Sequence, residues 1–87
     1  MTDSTTLHKE GFQHFLAGRY EEAIRCYRSA VEADPALIMA WNGLAMALDR
    51  SGDVDGAIKA GQRVVELDPE EPLGHTSLSI FYQKRGQ

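Results

Sequence analysis

The sequence returns on itself at an offset of 34 residues, and this limits the fold more than any other feature in it. Gly18, Ala23, Ile24, Val31, Glu32, Asp34 and Pro35 reappear as Gly52, Ala57, Ile58, Val65, Glu66, Asp68 and Pro69. A period of this length marks a chain of stacked supersecondary units, none of which buries its apolar face alone. At 87 residues the chain holds two such units and part of a third. A compact core of that size is marginal on surface-to-volume grounds.

Within the period every segment reads as helix. Leu7, Phe12, Phe15 and Leu16 predict a first helix from about Thr6 to Leu16, with Ser4 or Thr5 available as its cap. Gly18 closes it, because glycine adopts the left-handed conformation at little cost. A second helix starts near Tyr20 or Glu21 and carries Ala23, Ile24, Tyr27, Ala30 and Val31 as one stripe of helical period. Asp34-Pro35 stops it, since the proline ring disfavours helical geometry at the preceding residue. The third helix, Ile38 to about Arg50, is apolar nearly all round, with Ala40, Trp41, Leu44, Ala45, Met46, Ala47 and Leu48. A helix of that kind belongs at the centre of a packed structure. A fourth runs from about Val54 to Leu67, ending at Asp68-Pro69. A fifth follows Pro72, a favoured first-turn residue, and Gly86 again stands 34 residues after Gly52. No strand pattern competes. The expected fold class is all-α: a helix–turn–helix repeat array of about five helices, with units 4–37 and 38–71 and a partial unit 72–87.

These residues resemble the tetratricopeptide repeat, a helix–turn–helix unit of 34 residues. The first unit offers Leu7, Gly11, Gly18, Tyr20, Ala23, Tyr27, Ala30 and Pro35 at the signature places. The second offers Trp41, Leu44, Ala45, Gly52, Ala57 and Pro69, and the partial third Leu78 and Gly86. Two departures stand out: Gly61 replaces the usual aromatic and Val64 the usual alanine, which predicts a thinner or bent fourth helix. Thr6 and Gln13 occupy the places that Ala40 and Ala47 fill in the second unit, so the first unit reads as a polar end cap. Gly74 and Phe81 fill those places in the third, ready to pack on the second.

The composition narrows function mainly by exclusion. A net charge of −4 and a pI near 5.2 argue against nucleic acid or an anionic membrane as partner. Glu21 and Glu22 before Arg25, and Asp55 before Lys59, are spaced as ordinary surface helix pairs. Cys26 is the single cysteine and predicts no disulfide, and the N-terminus has neither a basic start nor an apolar run. A soluble cytoplasmic protein is the expectation. No carboxylate accompanies two of His8, His14 and His75 in a known ligand spacing, and His8 and His14 point to different faces of one helix. Gly18, Gly52 and Gly86 are turn residues rather than a phosphate loop. No catalytic residue, metal or cofactor is expected, and the chain reads as a non-enzyme.

The resemblance implies a concave face, lined by the first helix of each unit, that binds peptides or partner segments. Phe12, Met46 and Ile80 share one place there, and Met39 and Leu73 another, with Thr5 at its N-terminal end. Asn42, His8, Thr76 and Ser77 supply polar groups between them. Phe12, Met39, Asn42, Met46, Leu73 and Ile80 are therefore the candidate partner-binding groove, although the same residues would also suit packing against further helices. Some family members grip the C-terminal carboxylate of heat-shock chaperones with Lys and Asn side chains. At the matching places this chain has His8, Phe12, Gly43, Leu73 and Thr76, none of which makes such a clamp. The expected function is a protein-interaction scaffold or adaptor. The alternative is self-association into a homodimer through Leu78, Phe81 and Tyr82 on the uncovered last helix, or continuation of the array past Gln87.

Overall fold

A computed structural model describes residues 3–86. Five helices follow one another: α1 (Ser4–Leu16), α2 (Tyr20–Ala33), α3 (Ile38–Ser51), α4 (Val54–Leu67) and α5 (Pro72–Arg85). Each packs antiparallel to the next, giving two helix pairs and the first helix of a third, an all-α repeat array. The body measures 41 × 27 × 16 Å.

The repeat is visible in the turns. Gly18 and Gly52 carry φ of +79° and +97°, and the following N–H groups of Arg19 and Asp53 reach back to the carbonyls of His14 and Leu48. Those bonds satisfy carbonyls that a helix end leaves unpaired. Gly86, aligned with them by the period, differs: its φ is −75° and its N–H bonds Tyr82 O in ordinary helical fashion. At the other turn, Asp34 and Asp68 share extended dihedrals, φ/ψ of −144°/90° and −145°/92°. Each carboxylate accepts a backbone N–H two residues on, from Ala36 and Glu70. The Trp41 ring donates Nε1–H to Pro35 O at 2.7 Å, and His75, one period later, sets Nε2 against Pro69 O at 2.6 Å. A ring nitrogen thus ties each proline turn to the helix that follows it.

Two local expectations are corrected. The cap of α1 is Asp3, whose carboxylate accepts Thr6 N–H at 2.8 Å and is held below its usual pKa by that bond; Ser4 and Thr5 lie inside the helix. Asp55 pairs with Arg85 of α5 at 3.5 Å rather than with Lys59, because α5 brings a cation within reach from outside the helix.

The core runs along the interior of the array. Ala23, Ala30, Ala40, Ala45, Ala47 and Ala57 are fully buried, and such small side chains let helices cross closely. α3 is central, burying Ala40, Leu44, Ala45, Ala47 and Leu48, whereas Thr6 and Gln13 on α1 face solvent. α4 is a continuous helix, and the space left by Gly61 is taken by α5. A β-carbon at Gly61 would meet Leu78 Cδ2 at 2.9 Å, and one at Gly74 would meet Val64 Cγ1 at the same distance. Lys84 Nζ, bonding both Asp49 oxygens at 2.8 and 2.9 Å, ties α5 to α3 as well. No helix among the described residues is long and apolar enough to cross a membrane.

Candidate functional site

The first helices of the three units, α1, α3 and α5, edge an apolar groove whose floor is the ring of Tyr27 from α2. The ring has a slot made for it. A β-carbon on Gly43 of α3 would lie 2.5 Å from Tyr27 Cε1 and Cζ, and one on Gly11 of α1 only 3.0 Å from the same ring. Glycine inside a helix costs about 1 kcal/mol against alanine, so both positions give up local stability to admit the ring. Tyr27 is 2% exposed, and burial pushes its hydroxyl pKa up to about 12. The His8 ring lies against it, 5.7 Å between centroids.

Above this floor the groove has a cavity volume of about 260 Å³. Phe12 and Phe15 come from α1, Ile38, Met39, Asn42 and Met46 from α3, Val64 from α4 and Leu73 from α5. Met39 is 64% exposed, Leu73 59%, Phe12 49% and Met46 38%, so the apolar rim is open to solvent. His8, Asn42 and Glu71 are the polar side chains on the wall, and no Lys or Arg lines it. Glu71 is committed locally: its carboxylate accepts Leu73 N–H at 3.0 Å and caps α5.

The structure brings Phe12, Met39, Asn42, Met46 and Leu73 to one cavity and leaves Ile80 outside its lining. α5 contributes its first turn there, and Ile80 sits seven residues further on, about 10 Å along the helix; it is exposed, but elsewhere. Phe15, Tyr27, Ile38, Val64 and Glu71 were not anticipated as lining residues. One sequence signal pointed to Tyr27: two helix-interior glycines, Gly11 and Gly43, on helices that flank it.

The expected self-association face of Leu78, Phe81 and Tyr82 is largely buried. Phe81 is 4% exposed, with its ring in the core between α4 and α5. Leu78 is half-buried against Gly61. Of the three, only Tyr82 faces solvent, and its hydroxyl accepts from Gln62 Nε2 at 3.0 Å. Gly61 is the cause, because an aromatic there would have held α5 farther from α4.

Cys26 is half-buried and its thiol pKa is raised, chiefly by burial. His14 Nδ1 accepts Arg19 Nε–H at 3.1 Å. Among the described residues no three His, Cys, Asp or Glu side chains gather as a metal site would require.

Stacked antiparallel helix pairs with an apolar face built from the first helix of each pair define the class: an α-helical repeat module. The tetratricopeptide-repeat family profile matches residues 14–72, more than half of the chain, and the chain belongs to that family. Over its whole length it is 30% identical to the TPR repeat-containing thioredoxin TTL4 of Arabidopsis thaliana, of which it spans 13%. It is 26% identical over 83 residues to the photosystem I assembly protein Ycf3 of Prochlorococcus marinus, covering 92% of this chain and 48% of that one. The chain thus spans less than half the length of these two relatives. Among solved structures, the second TPR of Spaghetti (RPAP3) bound to the HSP90 peptide SRMEEVD superposes with a TM-score of 0.93 at 24% identity, covering 98% of this chain and 79% of that one. At that identity the likeness is one of fold.

Proposed function

We propose that this chain is a non-catalytic protein-interaction module whose groove takes an apolar segment of a partner, as an extended peptide or a helix. The observation that carries the reading is the open apolar rim of Phe12, Met39, Met46 and Leu73 around a single cavity. Water contact at such a patch is unfavourable, and covering it supplies binding free energy. The two methionines suit a site that adapts to its occupant. The RPAP3 module holds an acidic heat-shock tail on the same fold. Here the wall carries no Lys or Arg, and His8, Phe12, Gly43, Leu73 and Thr76 stand where a carboxylate clamp would be. That wall favours an uncharged apolar occupant over an acidic tail.

The test is Met46→Glu, assayed with peptides selected from a displayed library on the wild-type chain. The substitution places a charge on the rim of the cavity while leaving the helix exposed on that side. Selected peptides should lose binding, and far-ultraviolet circular dichroism should be unchanged. Retention at wild-type strength would show that the groove is not the binding site.

A further inference from the structure

α3 has two faces, and the groove uses one of them. Met39, Asn42 and Met46 point into the groove; Trp41, Leu44 and Leu48, each two residues further on and so about 200° round the helix, point the other way. On that side the backbones of α2 and α4 stay apart, and both pack on α3. A second cleft opens there, with a volume of about 430 Å³, and it shares no lining residue with the first.

Its chemistry is unlike the rest of the molecule. Trp41, Leu44, Leu48 and Ala60 make an apolar floor, and Arg28 of α2 with Lys59 and Arg63 of α4 stand round the rim. Arg28 and Lys59 have no carboxylate within ion-pair distance among the described residues. Arg63 lies over the Trp41 ring, 5.4 Å from its centroid, with a single loose contact to Glu66 at 3.5 Å. Three cations against one acid, on a chain whose net charge is −4, concentrate positive potential at one apolar cleft. Two of the three cations are not set by the repeat: the places one period away from Arg28 and Arg63 hold Gln62 and Ser29.

We propose that this cleft is a second docking surface, separate from the groove, and that its occupant is an acidic segment of a partner protein. An apolar side chain of that segment seats on Trp41 and Leu44, and its carboxylates meet Arg28, Lys59 and Arg63. Charge complementarity selects the segment, and the floor supplies contact that a free anion could not use. Arg63 is placed to exchange its weak contact with Glu66 for a bidentate bond to an incoming carboxylate.

Trp41 is the chain's one tryptophan, so its fluorescence reports on the cleft floor alone. The full chain is titrated with a synthetic peptide alternating Glu and Leu, and with an analogue carrying Gln for every Glu. The expected result is a saturable Trp41 response to the acidic peptide that weakens as salt rises to about 0.5 M. The Gln analogue should bind about tenfold more weakly or less, as should the acidic peptide to the doubly exchanged Arg28→Glu, Lys59→Glu chain. Both exchanged residues are exposed, and an unchanged melting curve shows that the fold is kept. Met46→Glu, in the other groove, should bind the acidic peptide as the wild type does. Equal binding of the Gln analogue, or wild-type binding by the double variant, overturns the proposal. So does loss of binding in Met46→Glu, which would place the peptide in the groove. A full Trp41 response to inorganic phosphate alone would make the cleft a simple anion site. A wild-type dimer that the double variant dissociates would make the occupant a second copy. Either of those outcomes also overturns the proposal.

Discussion

Gly43→Ala sets two effects of known sign against each other, and the structure decides between them. Alanine in a helix interior is favoured over glycine by about 1 kcal/mol, so helix propensity alone predicts a more stable chain. The new methyl, however, would lie 2.5 Å from two atoms of the Tyr27 ring, about 1 Å inside ordinary carbon–carbon contact. The ring cannot simply retreat, because it is 2% exposed and any shift presses it on its other neighbours. Overpacking of this kind costs about 1–3 kcal/mol. The net expectation is a loss of up to about 2 kcal/mol, and each kcal/mol is worth about 4–8 °C in a domain of this size. Thermal unfolding followed by circular dichroism at 222 nm reads the change. The same exchange made in a Tyr27→Leu background should be neutral or stabilising, since the flat ring that fills the slot is gone. A Gly43→Ala chain that melts higher than wild type, with Tyr27 in place, would refute the account of the slot.

Two further outcomes follow from the core. Phe81→Ala should cost about 3–5 kcal/mol, the usual range for a buried aromatic, and amide exchange should show α5 opening ahead of the other helices. A residue on a free association surface would leave exchange in α5 unchanged. Tyr27 should make the fold sensitive to alkali. Its pKa is about 12 in the folded chain against an ordinary value of 10.0, so the unfolded chain gives up the proton first. The stability from the neutral hydroxyl is therefore intact below pH 10 and is lost as pH rises from 10 to 12. Urea midpoints across that window should fall more steeply for the wild type than for Tyr27→Phe, and parallel curves would contradict the assignment.

The helices and turns were legible in the sequence because their causes are local. Gly18 and Gly52 take a left-handed φ, Asp34 and Asp68 take the same extended dihedrals, and all of these needs act within a few residues. The groove was legible in part. Phe12, Met39, Met46 and Leu73 carry their exposure as a consequence of helix phase, and phase can be counted along a chain. Tyr27 was readable as a stripe residue but not as a floor, because the slot that receives it is made by glycines on two other helices.

Where the reading of side-chain exposure and ion pairing failed, a contact between distant residues had decided the matter. Phe81 and Leu78 looked free on the fifth helix. Gly61, the one place where the chain departs from its family's aromatic, lets α5 settle close enough to α4 to bury the first and half-bury the second. Asp55 counted as a partner of Lys59 until α5 brought Arg85 to it. The period by itself determined the architecture, because turn conformation and helix phase are short-range properties. Only the tertiary structure decided that Phe81 and Leu78 are closed off, because their exposure depends on how near the neighbouring helix can come.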